Sequence, residues 1–382
     1  MVPPLSEEPT ESRRPVRLLL VNPSPVRGGA EEMLLSFVNA CDPARVRPVV
    51  ACLADGPFVD DLAAAGAWVV RVRAGRLRYP WAWARAVARL RRLARDADAV
   101  LSWQVKGHYY GTPAARCAGV PAAWWDHGIR PARGEPRFVI DNLLPRALRA
   151  RVVVTSSAAA AARHPRARVV HPGIDLEPYA RADARADART VLGADGVAPM
   201  IGIVGRLQPW KGQEHLLRAA PAILQRHPRA RFAVIGGTPG GFDAGEPARL
   251  RALAAELGVS ERVGFLGQRD DVAELLAGLD VFVHASRAEP FGIVIVEAMA
   301  AGVPVVADPG GGVPEIVEHG VSGLLASGPD AIAEAVARYL DDPAEAARIA
   351  AVARERARER FAVARFVRDV EDLVAGLAEG EQ

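Results

Sequence analysis

Met200-Ile-Gly-Ile-Val-Gly205 is a short apolar run that ends at a glycine, and a helical pattern with Leu216 on its apolar side begins after Gly212. The same order of strand, glycine turn and helix occurs at Val16-Arg-Leu-Leu-Leu-Val-Asn22 and Gly28-Gly29. A strand that leads through a glycine turn into a helix is the opening unit of a nucleotide-binding Rossmann half. Two copies in one chain predict two Rossmann-like halves.

Strand-like runs alternate with helical stretches along the whole chain. They fall at 47–53, 67–72, 99–102 and 151–155 in the first half and at 230–235, 262–265, 281–284 and 304–307 in the second. Such alternation favours parallel sheets with right-handed crossover helices. We therefore expect an α/β protein with two Rossmann-like domains.

The expected domain boundaries follow from changes in composition along the chain. Residues 1–15 are polar, which predicts a disordered lead. The N-terminal domain is expected over 16–172 and the C-terminal domain over 173–360, because a low-complexity charged stretch follows 171–175. Residues 361–382 are predicted to form an amphipathic helix, whose apolar face must pack against another part of the protein.

The overall composition excludes some classes of protein. The formal net charge of the 382 residues is only +3, so nucleic-acid binding has no global support. Cys41, Cys52 and Cys117 lack metal-binding or Cys-x-x-Cys spacing, which indicates free thiols in a reducing compartment. A signal peptide and an apolar run of the ~18 residues that a membrane helix needs are both missing from the sequence. We expect a cytoplasmic enzyme, soluble or peripheral at the inner face of the membrane.

The segment Glu289-Pro-Phe-Gly-Ile-Val-Ile-Val-Glu297 carries two carboxylates eight residues apart, with a glycine between them. It predicts a loop that delivers Glu289 into a pocket, and then a helix that begins after Gly292 and carries Glu297 on its first turns. Free amides at that helix N-terminus suit a phosphate, and the carboxylates suit hydroxyl groups of a sugar and a ribose better than a metal. Alone, the segment is also compatible with two solvated glutamates that flank a buried helix.

Arg206 and Lys211 lie five residues apart across a proline-containing turn after a strand. A guanidinium and a mobile ammonium in this place can both reach a diphosphate. Surface ion pairing is the alternative and would be favoured for a lone basic residue. With two cations available for a leaving diphosphate, we expect no metal or other cofactor to be required.

These segments, together with Pro172-Gly-Ile-Asp175 and Gly310-Gly-Gly-Val-Pro-Glu315…Gly320-Val-Ser-Gly-Leu-Leu325, closely resemble the retaining GT-B enzymes of glycosyltransferase family 4, the glycosyl transferases group 1. The resemblance is stronger in the C-terminal half, which binds the donor in that family. It implies a GT-B fold, with parallel sheets that face each other across a cleft and a last helix that crosses back to the N-terminal domain.

The resemblance also implies an activity. A sugar would pass, with retention of configuration, from an NDP-sugar to a carbohydrate, lipid or natural-product acceptor, and UDP-sugars are favoured as donors. Arg206 and Lys211 would neutralise the diphosphate, Glu289 would bind hydroxyls of the transferred sugar, and Glu297 would hold the ribose. The residues whose backbone the family places near the donor are Gly205, Phe291, Gly292, Ile293 and Val294.

The N-terminal half supplies further candidates. Gly28 and Gly29 lie at a strand-to-helix junction, where missing side chains leave room for a ligand, and by resemblance they form the loop opposite the diphosphate. His127 precedes a glycine and matches the family's histidine near the donor sugar; an ordinary core or surface histidine is the alternative. The acceptor-side candidates, on a loop without a firm family pattern, are Lys106, His108 and Tyr109.

The chain departs from the family pattern in two places. Pro172 stands where an asparagine is frequent, and His284-Ala285-Ser286 stands where Pro-Ser is frequent. Backbone roles survive these changes, whereas the contacts with the donor sugar are left open. Asp96-Ala-Asp98 has the metal-binding spacing of another glycosyltransferase class, but it lies at a helix end before a strand, and we interpret it as structural.

The segment Arg71–Arg95 contains nine arginines and no acidic residue, with Tyr79, Trp81 and Trp83 among them. A basic helix with interfacial aromatics can lie on an anionic membrane or hold an acidic acceptor. A solvated helix whose tryptophans pack inward is the alternative and the one we favour.

Two other functions remain open from the sequence. One is an enzyme of another class on this scaffold, a nucleotide-sugar epimerase or a phosphorylase, against which the Glu289–Glu297 motif with Arg206 and Lys211 argues. The other is a non-catalytic partner that binds sugar nucleotides.

Overall fold

The structure, a computed structural model, describes residues 14–75, 79–128, 143–180, 185–194, 198–238 and 243–380. It divides into two compact units. Unit 1 comprises Met1–Trp125, Leu144–Arg151 and Val367–Gln382, and unit 2 comprises Asp126–Leu143 and Val152–Phe366. Of the predicted lead, 1–13 lies outside the described residues.

Thirteen strands lie in the described part of the chain. They are β1 (Val16–Asn22), β2 (Val46–Cys52), β3 (Trp68–Arg71), β4 (Ala99–Trp103), β5 (Ala122–Asp126), β6 (Arg151–Val154), β7 (Arg168–Val169), β8 (Met200–Val204), β9 (Arg231–Ile235), β10 (Val263–Gly267), β11 (Val281–His284), β12 (Val305–Ala307) and β13 (Leu324–Leu325).

Helices follow most of these strands. The α-helices are α1 (Gly29–Ala40), α2 (Pro57–Ala64), α3 (Pro80–Ala94), α4 (Gln104–Ala118), α5 (Ser157–Arg163), α6 (Arg185–Val191), α7 (Gln213–Arg226), α8 (Glu246–Glu256), α9 (Val272–Ala277), α10 (Ile293–Ala300), α11 (Val313–Ile316), α12 (Pro329–Asp341), α13 (Pro343–Phe361) and α14 (Val363–Ala378).

In unit 1, five parallel strands lie side by side in the order β3, β2, β1, β4, β5. Leu18, Leu19, Leu20 and Val21 of β1 are all buried, because helices cover both faces of such a sheet. The chain runs outward from β1 to β3 and then returns to the other side of β1 at β4. The β1–β4 junction is therefore a topological switch point, where ligands of open α/β sheets bind at the carboxyl ends of the strands.

Unit 2 contains a second parallel sheet in the order β10, β9, β8, β11, β12, β13. It has the same kind of switch point between β8 and β11, which pair through Val281 opposite Ile201. One face of the sheet packs on α7 and α12, whose buried residues include Leu216, Leu217 and Val336. Because β8 and β11 are neighbours, the loops that follow them leave the sheet side by side.

The strands β6 and β7 also pair in parallel.

The α/β class and the two parallel sheets are confirmed, and each predicted strand is present with ends shifted by at most two residues. The predicted break at Asp341-Asp-Pro343 separates α12 from α13, where the Asp342 side chain accepts a hydrogen bond from the Glu345 amide. Of the charged stretch 181–189, residues 185–189 begin α6 and 181–184 lie outside the described residues.

Asp98, in the Asp96-Ala-Asp98 segment, accepts hydrogen bonds from the Arg14 and Arg17 side chains and from the Arg17 amide. These hydrogen bonds hold the pKa of Asp98 at about 2, against a smaller opposing effect of burial. The carboxylate, which directly precedes β4, therefore links β4 to the start of β1, in agreement with a structural interpretation.

The Arg71–Arg95 segment contains α3, and its residues 76–78 lie outside the described part. Val87 and Leu90 of α3 are buried, and Trp83 Nε1 donates to the Tyr109 carbonyl at 2.9 Å. Trp81 is 62% exposed, so only part of the aromatic set packs inward. No helix among the described residues combines the length and apolarity needed to cross a bilayer.

Candidate functional site

The candidate site of unit 2 lies at the carboxyl ends of β8 and β11, its topological switch point. After β8 the chain passes through Gly205 and a short 3₁₀ turn, Pro209–Lys211, before α7 begins. After β11 it forms the loop that carries Glu289 and then begins α10. Because the two strands are neighbours, two segments 78 positions apart in sequence meet at this edge.

Lys211 and Glu289 form a direct ion pair in which Lys211 Nζ lies 2.7 Å from Glu289 Oε2. His284, the last residue of β11, places Nε2 3.1 Å from the same oxygen. All three side chains are largely buried, with exposed fractions of 16% for Lys211, 9% for Glu289 and 4% for His284. The Lys211 ammonium also lies 4.3 Å from the ring centre of Trp210, a cation–π contact.

The electrostatics of this cluster keep Glu289 ionised. Burial by itself would raise the pKa of Glu289, because it penalises the charged form. The hydrogen bond from His284 and the charge of Lys211 outweigh burial and hold the pKa at about 2. The carboxylate is therefore an acceptor of hydrogen bonds, and not a proton donor, at any pH near neutrality.

Gly292 begins α10 in the left-handed region, with φ = 110°, so that the chain turns from the Glu289 loop directly into the helix. A Cβ at Gly292 would lie 2.9 Å from Ile295 Cδ1, which adds a steric reason for glycine. Phe291 is buried against His171 and Phe361, with ring centres 5.6 and 5.5 Å away. As at any helix start, the first amides of α10 have no intrahelical acceptors. These amides follow directly after the loop that carries Glu289.

Gly212 brings the loop after β8 against the loop after β11. It has φ = 77°, and a Cβ there would lie 2.2 Å from the Ala285 carbonyl oxygen, so no side chain fits. Its neighbour Gln213 donates from Nε2 to the Arg206 carbonyl at 2.9 Å. Close backbone packing thus fixes where Lys211 stands relative to Glu289.

The remaining predicted donor residues of unit 2 lie on the same two segments of chain, the one after β8 and the one after β11. Arg206 is exposed on the loop after β8, and Glu297 is half-buried in the second turn of α10. Ile293 and Val294, in the first turn of α10, are half-buried. The structure thus brings Lys211 and Glu289 into contact. The other predicted donor residues lie on the loop after β8, on the loop after β11 and on α10.

Glu315, in the segment Gly310–Leu325, makes a second set of contacts in unit 2, which are partly buried. Its carboxylate accepts hydrogen bonds from the Ser157 and Ala158 amides, at 3.0 and 3.2 Å, at the start of α5. His171 Nε2 lies 2.8 Å from the same carboxylate. Burial opposes ionisation, but these hydrogen bonds hold the pKa of Glu315 at about 2. A negative charge at a helix N-terminus is stabilising.

We expect Glu315→Gln to lower stability in a pH-dependent way. The folded pKa of about 2 lies below the ordinary value of 4.5, so the carboxylate stabilises the fold above about pH 4.5 and loses this effect as the pH falls toward 2. At pH 7 the variant should lose roughly 3 kcal/mol of unfolding free energy at most, because one pKa unit corresponds to about 1.4 kcal/mol.

Chemical unfolding at pH 7 and near pH 3 measures this effect, with Glu318→Gln as the control because Glu318 is exposed. The difference between wild type and Glu315→Gln should shrink at the lower pH. An equal difference at both values would contradict the assignment.

The N-terminal candidates lie in unit 1. Gly28 and Gly29 stand at the start of α1 after β1. Lys106 is exposed and Tyr109 half-buried near the start of α4. His108 is fully buried; its Nδ1 lies 2.7 Å from Thr112 Oγ1 and its ring stacks on Trp124, which leaves no exposed atom for an acceptor in this structure. The roles of these residues stay predictions.

His127 follows the last residue of β5 in a half-buried position. Burial lowers its pKa to about 3, although the neighbouring Asp126 charge acts in the opposite direction. The imidazole is therefore neutral near pH 7. Its predicted place near the donor sugar stays a prediction.

Sequence reasoning missed two members of these clusters. His284 entered only as a departure from the family pattern, and its place at the end of a predicted strand, five residues before Glu289, was the available signal. The Glu315–His171 contact joins positions 144 residues apart, which no local pattern reveals. Among the described residues, no group of three or more His, Cys, Asp or Glu side chains is arranged to hold a metal ion.

Comparison with known proteins shows which proteins this chain is similar to. Residues 184–356 match the family model described as "Glycosyl transferases group 1". The chain is 45% identical over 164 residues to the D-inositol 3-phosphate glycosyltransferase of Mycobacterium sp. (strain KMS), a match that covers 42% of this chain and 36% of that protein. The Streptomyces avermitilis protein of the same name is 40% identical over 192 residues, 47% of this chain and 40% of its own length. The matched part thus spans well under half of these relatives.

Solved structures extend the similarity to nearly the whole chain. Anabaena HepE in complex with UDP-glucose superposes with a TM-score of 0.84 at 29% identity, over 94% of this chain and 100% of that one. A glycosyltransferase from Rickettsia africae superposes with a TM-score of 0.83 at 16% identity, over 96% and 100% of the two chains. The predicted GT-B fold of two Rossmann-like units is confirmed.

Proposed function

We propose, from the match of residues 184–356 to the family model of the glycosyl transferases group 1, that this protein transfers a sugar from an NDP-sugar to a hydroxyl-bearing acceptor. The observation that carries the proposal is the buried Lys211–Glu289 pair at the switch point of unit 2. It combines a cation for a diphosphate with an ionised carboxylate for sugar hydroxyls, next to a helix N-terminus.

The donor is proposed to be a UDP-sugar. Support comes from the similarity to Anabaena HepE, which was solved with UDP and with UDP-glucose. Arg206 and Lys211 would neutralise the diphosphate, together with the amides of Phe291, Gly292, Ile293 and Val294 at the start of α10. Glu289 would accept hydrogen bonds from hydroxyls of the transferred sugar, and Glu297 would hold the ribose.

Retention of configuration is part of the proposal. The acceptor hydroxyl attacks the anomeric carbon on the face from which the diphosphate departs. The carbon–oxygen bond to the diphosphate breaks, and the acceptor proton passes to the departing phosphate oxygen. The charge that develops on this phosphate is stabilised by Lys211, Arg206 and the helix amides, because preorganised donors act most strongly where charge develops.

The acceptor is proposed to be a carbohydrate or another polyol. This class agrees with the D-inositol 3-phosphate named in the relatives. Contact between the Arg71–Arg95 segment and an anionic membrane is an alternative. The exposed Trp81 is compatible with membrane contact, whereas the inward-packed Trp83 is not.

A panel of NDP-sugars tests the activity without knowledge of the acceptor. We expect one nucleotide-sugar to raise the melting temperature of the wild-type chain and to be hydrolysed slowly, with release of free sugar and NDP. Addition of D-inositol 3-phosphate and other polyols then tests transfer. Conversion of the donor sugar into an epimer without acceptor would favour an epimerase instead, and a chain that binds but never consumes a donor would be a non-catalytic partner.

We expect activity to persist in excess EDTA. In the proposed mechanism the positive charge of Lys211 and Arg206 takes the place that a divalent cation occupies in other phosphoryl and glycosyl transfers. The measurement is donor hydrolysis before and after chelation. Loss of activity with EDTA that added Mg²⁺ or Mn²⁺ restores would overturn the metal-free mechanism.

A further inference from the structure

His284 occupies a position in unit 2 that the proposed roles of Glu289 and Lys211 do not explain. It is the last residue of β11, and its side chain is buried and cannot reach solvent without a local rearrangement. Its strand pairs with β8 on one side and with β12 on the other, and His284 itself lies opposite Ala307 of β12, where its carbonyl accepts a hydrogen bond from the Asp308 amide at 2.8 Å. The imidazole therefore points at Glu289 from the rigid sheet, whereas Glu289 itself stands on a loop.

The two oxygens of Glu289 are used unequally. Both protein donors, Lys211 Nζ and His284 Nε2, contact Oε2, at 2.7 and 3.1 Å. Within the described residues no protein group donates a hydrogen bond to Oε1. A carboxylate can accept about four hydrogen bonds, so the side chain keeps acceptor capacity on the oxygen that the protein leaves alone.

The contact with Glu289 also identifies which ring nitrogen of His284 donates. Donation to a carboxylate requires a hydrogen on Nε2, and the buried Nδ1 has no hydrogen-bond partner in the described part of the structure. Nε2 is therefore the ring nitrogen that donates, and Nδ1 takes no part in holding Glu289. The histidine thus acts on Glu289 as a donor of fixed direction.

We propose that His284 is a positioning residue for the transferred sugar: it holds Glu289 by Oε2 and so presents Oε1 to a hydroxyl of that sugar. The inference rests on the proposed function, because it takes the ligand of Glu289 to be the sugar part of the donor. Lys211 can shift toward a bound diphosphate on its flexible stem, and His284 then remains as the fixed partner of Glu289. The predicted consequence is selective: His284 contributes to recognition of the sugar and not of the nucleotide.

The test compares His284→Gln with His284→Asn. Both side chains are neutral amides, but the Gln amide nitrogen reaches the position of Nε2, and Asn is one methylene shorter. Calorimetric titration gives the Kd values of UDP-glucose and UDP, or of the sugar nucleotide and nucleotide that the panel identifies. We expect His284→Asn to weaken binding of the sugar nucleotide by about 10-fold relative to the nucleotide, because it removes a hydrogen bond to a charged group. His284→Gln should stay within about threefold of wild type.

A second measurement separates positioning from a structural role. In the Glu289→Ala background, His284→Asn should cause no further loss of sugar-nucleotide binding, since the group through which it acts is gone. Equal weakening of nucleotide and sugar nucleotide, or additive losses in the double variant, would overturn the inference. A wild-type chain that binds no nucleotide of the panel would instead overturn the proposed function, and this inference with it.

Discussion

Glu289→Gln should lower turnover by about 10- to 1000-fold, the range expected when a charged group loses its contact with the substrate in the transition state. The substitution keeps the shape of the side chain but removes the charge. Glu289 is ionised with a pKa of about 2, so the change acts on a full negative charge at neutral pH. Lys211 and His284 then face a neutral amide that can accept only through its oxygen.

The measurement is steady-state donor hydrolysis, and transfer once an acceptor is known. Glu246→Gln is the matched control, because Glu246 is equally buried in unit 2 and pairs with Arg249 on α8. Thermal unfolding and UDP binding report whether the variant is folded. A folded Glu289→Gln enzyme with wild-type turnover would remove Glu289 from the site.

Lys211→Met is expected to lower kcat/KM by a similar factor of about 10 to 1000, because it removes the buried cation proposed to meet the diphosphate. Methionine keeps an unbranched, flexible side chain of comparable length, so packing against Trp210 can be retained. In contrast to Glu289→Gln, this variant should bind UDP itself more weakly, since its lost contact is with phosphate and not with sugar.

The same variant has a predicted effect on acid stability. The depressed pKa of Glu289 means that its hydrogen bond with His284 and its ion pair with Lys211 together stabilise the fold above about pH 4.5 and lose that effect toward pH 2. Without Lys211 the pKa of Glu289 should rise, and the stability of the variant should depend less on pH in this window. Chemical unfolding between pH 3 and 7 tests this, with Arg218→Met as a control for an exposed cation of the same unit.

For the binding prediction, unchanged UDP affinity in folded Lys211→Met would contradict the diphosphate role.

The sequence by itself determined the α/β class and the position of the candidate donor loops. Alternating apolar runs and glycine turns are local signals, and each of the ten predicted runs became a strand. The start of a helix after Gly292 was also predicted from local sequence, because a glycine turn followed by apolar residues can begin a helix without long-range contacts. The family resemblance rested on segments of this kind.

The contacts within the site were decided only by the tertiary structure. Lys211 and Glu289 were predicted to act on different parts of one ligand, and the fold pairs them directly because β8 and β11 are neighbours at a switch point. His284 contacts Glu289 because the last residue of a parallel strand lies at the same edge of the sheet as the loop five residues later. Glu315 could meet the start of α5 only after the chain had brought positions more than 150 residues apart together. Strand order and long-range packing are properties of the whole chain, and no spacing within a motif contains them.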